Sequence, residues 1–315
     1  MTPFGYRVLG FGSGGKPPVE YTIEYLMIAG GGGGCTAYGY AGGAGGGAGG
    51  YLTASGFTID DATNYTVTVG AGSPTAADAA IGEQGSSTTF STLEAYGGGR
   101  GRGTWGHATA TGGATQSPAN AGELTATIGS GGGKAPELRD GGTGPNYTWN
   151  STQGKSGGES HDYAQPGGGG AGVAAVDRAY TGAPTGSPGG NGLASSITGS
   201  SVTRAGGGGG GGAPNYGTAS SSSGGSGGGG SGGAEETDGG AGTVNTGSGG
   251  GGGSGNNGGA TDHYNNGGAG GSGVVVLKIA DADYSGVTTG SPTIDTSSVA
   301  GYTILIFNGT GTYHG

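Results

Sequence analysis

The sequence predicts an all-β protein, a β-sandwich carrying an inserted bundle of polyglycine-II helices, with essentially no α-helix. Three observations carry that expectation. Glycine supplies 92 of 315 residues, against a typical share of about 7%. The apolar residues gather in short segments rich in β-branched and aromatic side chains, bounded by Gly, Asn, Ser or Pro. They are also unevenly spread: of 37 Leu, Ile, Val and Phe residues, only nine lie between positions 97 and 271.

The strands fall near the two ends. Residues 21–29 (YTIEYLMIA), 64–69 (NYTVTV), 87–96 (STTFSTLEAY), 273–279 (GVVVLKI) and 301–307 (GYTILIF) each read as one strand. Residues 65–69 alternate apolar with polar, as a half-buried antiparallel strand requires. Because strands come from both ends, the middle reads as an insertion closed by the strand at 273–279.

Glycine runs occupy 30–34 and 42–50 after the first strand, then 97–103, 131–133, 141–144, 167–172, 206–212, 224–233, 247–259 and 267–273. Fixing glycine costs more backbone entropy than fixing any other residue, so an ordered run needs every backbone group satisfied by a neighbour. Threefold extended helices packed side by side would do this. The absence of a Gly-X-Y period and the presence of only 12 Pro exclude a collagen triple helix.

Charge excludes other classes. Lys and Arg total 10 against 20 Asp and Glu, a net charge of −10, which cannot supply the phosphate contacts of a nucleic-acid binder. One cysteine, Cys35, permits no intrachain disulfide and no cysteine-based zinc site. No apolar stretch approaches the roughly 18 to 20 residues of a membrane span, and the first residues lack the basic and apolar regions of a secretory signal. The Gly101, Gly103 and Gly106 spacing matches a dinucleotide fingerprint but has no helix to follow it. Gly154-Lys155-Ser156 resembles the end of a phosphate loop, yet Trp149 stands where its first glycine belongs. The four histidines show no metal-ligand or triad spacing. The chain is expected to be no enzyme and to hold neither cofactor nor metal.

The aromatic residues between the runs are the candidate binding residues: Trp105, His107, Tyr147, Trp149, His161, Tyr163, Tyr180, Tyr216 and Tyr264, set among Ser, Thr, Asn, Gly and Pro. That composition suits adaptable recognition surfaces, and aromatic rings also stack on sugars. The alternative is that these rings lie over the glycine runs as their core. Phe4, Tyr6, Leu9 and Phe11 at the start, with Tyr302, Ile304 and Ile306 at the end, are the candidate assembly residues; the first group reads equally as a docking peptide or an edge strand.

The ordered series 19–34 (VEYTIEYLMIAGGGGG), 45–52 (GGGAGGYL), 65–72 (YTVTVGAG), 86–90 (SSTTF) and 271–279 (GSGVVVLKI) resembles the glycine-rich domain of bacteriophage tail-fibre and other virion proteins. That resemblance implies a jelly-roll or TNF-like sandwich and a tail-fibre or adhesin component that attaches to a host surface through its aromatic loops. A purely structural virion or fibre-forming protein is the alternative. The implied partners are other virion proteins, a host cell-surface glycan or outer-membrane protein, and further copies of the chain. The implied location is the virion, after synthesis in a host cytoplasm. The expected organisation is a docking segment at 1–18, a sandwich from 19–96 with 272–280, the glycine-rich insertion at 97–271, and a linker and strand at 281–315. One departure stands out: a segment like 301–313 precedes the first glycine strand in that family, and here it comes last. It is expected to fill the vacant place, in its own domain or in a neighbour.

Overall fold

The computed structural model describes residues 19–76, 82–102, 129–132, 151–159, 163–178, 182, 184–214, 217–256 and 264–315. In chain order the strands are β1 (Glu20–Ile28), β2 (Tyr51–Asp60), β3 (Asn64–Thr68), β4 (Thr88–Phe90), β5 (Leu93–Ala95), β6 (Leu193–Ser195), β7 (Val202–Arg204), β8 (Val274–Ala280), β9 (Thr288–Thr289), β10 (Thr293–Asp295), β11 (Tyr302–Phe307) and β12 (Gly311–His314). They build two open five-stranded sheets, β10-β11-β8-β1-β2 and β5-β4-β3-β12-β9, and a separate β6-β7 hairpin. Every pairing is antiparallel.

The sandwich core lies between the two large sheets. Met27 of β1, Leu277 of β8 and Phe307 of β11 face Val67 of β3, Phe90 of β4 and Tyr313 of β12, all fully buried. The first sheet is covered on its other face as well. Leu26, Ile28, Val274, Val276 and Ile304 pack there against Ala48, Ala171, Ile197 and Ala205, which come from the glycine-rich segments. Double coverage explains why Val274, Val275, Val276 and Leu277 form one unbroken apolar run, since a strand buried on both faces has no polar side to alternate with. Where that cover ends, the same face carries Glu24 and Lys278, paired at 3.0 Å, with the Lys278 ammonium 4.6 Å from the Tyr302 ring centre.

The glycine-rich segments contradict one expectation. Every element of the described residues is a β-strand, with a single 3₁₀ position at Pro214 outside the glycine runs, so the inserted polyglycine-II helix bundle is corrected. The runs are segments without regular secondary structure, held by hydrogen bonds to neighbouring segments. The corrected fold class is all-β, with two open sheets and a glycine lattice. The physical reason is that a segment without side chains can approach its neighbours until amide meets carbonyl, so lateral bonds alone satisfy the backbone.

The register of this lattice is regular. Ile28 stands opposite Tyr51 in the β1–β2 pair. Beyond the strands, Ala29 donates to the Gly50 carbonyl, Gly32 to Gly47 and Cys35 to Ala44, and Tyr38 and Ala41 then bond reciprocally at the turn. The residues between them face elsewhere: Gly30 and Gly33 donate to Ser86 and Glu83, while Gly31, Gly34 and Ala37 donate to Gly271, Gly268 and Asn265. Each neighbour therefore recurs every third residue. The segment 249–255 behaves likewise, with Gly249, Gly252 and Gly255 donating to Gly206, Gly209 and Gly212.

Space is what demands glycine here. A Cβ on Gly46, Gly208 or Gly250 would overlap the backbone carbonyl of Gly32, Gly250 or Gly268, although none of the three takes a positive φ. Outer segments are less constrained. Ala219, Ser222 and Gly225 are buried while Ser220, Ser221 and Ser223 between them are exposed, so only every third position must be small.

Candidate functional site

The excursion from β1 to β2 is a single long hairpin whose far end stands out from the sandwich. Tyr38 lies nine residue steps along the chain from Ala29, a reach of at most about 30 Å. The turn at 38–41 closes through the reciprocal Tyr38 and Ala41 bonds, with Gly39 at φ 54 supplying the left-handed position that favours glycine. The neighbouring segments pin the tip: the Asn256 amide donates to the Gly39 carbonyl at 2.7 Å, and Gly42 donates to the Tyr163 carbonyl at 3.0 Å. Asn265 Nδ2 donates to the Ser254 carbonyl at 2.6 Å, tying two of the returning segments together.

Four tyrosines gather there. The Tyr38 and Tyr264 rings lie 5.6 Å apart with planes tilted by 39°. Tyr40 is 44% exposed and Tyr163 40% exposed, so two large amphipathic rings face solvent on a backbone that is bonded from several sides. Below them Cys35 is fully buried. Burial pushes its thiol up to about 12, against weaker opposing effects from a backbone hydrogen bond and from Arg100 and Arg102. A thiol so held stays protonated and is no nucleophile at neutral pH. Among the described residues no group of three His, Cys, Asp or Glu side chains converges as a metal site. Nor is any helix there long and apolar enough to cross a membrane.

Of the expected binding residues, Tyr264 reaches this tip through its ring beside Tyr38 and Tyr163 through its carbonyl on the Gly42 amide. Trp105, His107, Tyr147, Trp149, His161, Tyr180 and Tyr216 lie outside the described residues, as do Phe4, Tyr6, Leu9 and Phe11. Of the expected assembly residues at the end of the chain, Ile304 is buried, Ile306 is partly buried and Tyr302 is 39% exposed. Their strand β11 pairs with β8 of its own chain. Sequence reasoning missed Tyr38 and Tyr40. Their signal is present nonetheless, because Tyr38-Gly39-Tyr40 sits midway between two glycine runs that pair back on each other.

The glycine-rich domain family matches residues 15–280. The chain belongs to the glycine-rich domain family. A comparison with curated proteins finds no match. The family match ends at the last residue of β8, yet β11 and β12 beyond it complete both sheets. The expectation of a bacteriophage virion protein is corrected, both as a tail-fibre adhesin and as a structural virion or fibre-forming protein. The match is to a glycine-rich domain with no virion in its description, and the helix bundle that was to carry host attachment is not there.

Proposed function

We propose that this glycine-rich domain is a non-catalytic presentation scaffold, whose sandwich is the base and whose lattice holds a tyrosine-bearing tip out for contact with a macromolecular partner. The observation that carries the reading is the unbroken register from Ile28 opposite Tyr51 to Tyr38 opposite Ala41. It ties the tip to the sandwich without a flexible joint. Exposed tyrosines offer large contact area at low entropy cost, and the protonated, buried Cys35 argues against thiol chemistry at the same place. The net charge of −10 disfavours a nucleic acid as the partner.

Hydrogen exchange of the native chain tests the scaffold. The amides of Gly32, Cys35 and Gly47 are expected to be protected to the same degree as those of β1, because each is bonded inside the lattice. Exchange of these amides within seconds, beside a protected β1, would show a flexible arm and defeat the reading.

A further inference from the structure

Among the described residues four strands end the two large sheets, and three of them are poor templates for another chain. β9 has two residues, β10 has three and includes Asp295, and β5 has three and includes Glu94. Short and charged edges are the usual protection against pairing. β2 is different: it runs for ten residues, YLTASGFTID, with no Lys, Arg or Pro and no charge before Asp60.

The direction of its free backbone groups follows from its two ends. The Tyr51 amide donates away from β1, to the Gln153 carbonyl at 2.9 Å, and the Asp60 amide also points away, to the Tyr65 hydroxyl at 2.8 Å. Strand alternation then turns the N–H and C=O groups of Thr53 and Ser55 outward as well. The register shift opposite Ile23 and Glu24 absorbs Gly56, at φ 85, as a bulge. Residues 53–56 are all exposed.

We propose that this edge joins two copies of the chain in an antiparallel β2–β2 pair about a twofold axis at Ala54. Thr53 then exchanges its N–H and C=O with Ser55 of the second copy, twice over. Three features favour a second copy over another partner. A twofold contact sets each patch against itself, so a neutral segment in a chain of net charge −10 is the place where like copies meet without repulsion. The exposed residues Thr53, Ala54 and Ser55 are small and add no bulk to the approach. The ladder is also bounded symmetrically, by Gln153 holding Tyr51 on one side and by the Gly56 bulge on the other.

Sedimentation equilibrium of the full chain across the micromolar range tests this. The parent chain is expected to show a monomer–dimer equilibrium, with the Thr53 and Ser55 amides protected from exchange at high concentration and open at low concentration. Ser55→Pro removes an outward N–H that β1 does not use, and Ser55→Lys places charge at the centre of the pair. Each is expected to weaken dimerisation by about tenfold or more while far-ultraviolet dichroism stays that of the parent. A parent chain that is monomeric throughout, or dimers that form equally well in both variants, would overturn the proposal. The amide readout on the unmodified chain decides the matter even if a variant fails to fold.

Discussion

Adding one methyl group to the interior of the lattice, as Gly250→Ala, is expected to be among the most damaging small substitutions in the chain. The new Cβ would overlap the carbonyl oxygen of Gly268 and lie 2.5 Å from that of Ala269. A carbonyl backbone cannot swing aside as a flexible side chain can, so the segment carrying Gly268 and Ala269 must move. Three hydrogen bonds depend on its place: Gly34 to the Gly268 carbonyl at 3.0 Å, Gly268 to Gly251 at 2.8 Å and Gly242 to Ala269 at 2.8 Å. Leaving a buried backbone group unpaired costs about 1–3 kcal/mol, so losing the set costs roughly 3–9 kcal/mol, comparable with the whole stability of an ordinary domain, about 5–15 kcal/mol. Two controls separate space from dihedral strain. Gly56 has φ 85 and open space, so Gly56→Ala is expected to cost about 1–2 kcal/mol through the left-handed backbone alone. Gly309 has open space and no positive φ, so Gly309→Ala is expected to be neutral or to stabilise by about 0.4–1 kcal/mol. Urea unfolding of the three variants measures the series. A Gly250→Ala protein with the midpoint of the parent would refute the close-packed lattice.

Ile197→Ala removes a fully buried side chain that fastens the β6–β7 hairpin to the outer face of the first sheet; a loss of about 2–5 kcal/mol is expected, with hydrogen exchange rising in β6 and β7 before β3 and β4. Replacing Tyr38, Tyr40, Tyr163 and Tyr264 together by Ser is expected to leave the unfolding midpoint within about 1 kcal/mol of the parent, since the tip is held by backbone bonds. A collapse of soluble protein would assign those rings to packing. In alkali, Tyr21 and Tyr284 set the sign: burial, and then Tyr313 beside both, raises each hydroxyl above the ordinary value of about 10. Below that pH both tyrosines are protonated in both states and add no slope, and only the raised Cys35 thiol draws stability down from about pH 9. Above the ordinary tyrosine value the unfolded chain releases protons the folded chain retains, so stability falls as pH rises, and Tyr21→Phe is expected to reduce that slope in urea titrations.

The all-β class, the strands β1, β3, β8 and β11, and the two-ended origin of the sandwich are legible in the sequence, because β-branched and aromatic residues bounded by turn formers report strands locally. The segment at 87–96, read as one strand, is instead β4 and β5 joined by a tight turn with Ser91 at φ 54. β2 escaped notice because the edge residues Thr53, Ala54, Ser55 and Gly56 have little apolar surface to bury, and so no alternation to display. The unbroken run at 274–277 signals burial on both faces, but not that Ala48, Ala171, Ile197 and Ala205 supply the second cover.

The tip divides in the same way. Tyr38-Gly39-Tyr40 between two glycine runs marks a turn in the sequence, whereas its meeting with Tyr163 and Tyr264 depends on where distant segments return. Composition by itself determined that the runs had to be satisfied by backbone bonds or remain unfolded, and it located them. Only the tertiary structure decided which run bonds to which, and that the bonds link non-helical segments into a lattice. Side chains ordinarily write the partner of each face into the sequence as a pattern. A glycine interior has none, and its register is set by the strands at its root and the turns at its ends. At the rim, where Ala219, Ser222 and Gly225 face inward and the serines between them face water, side chains return and the period of three becomes readable again.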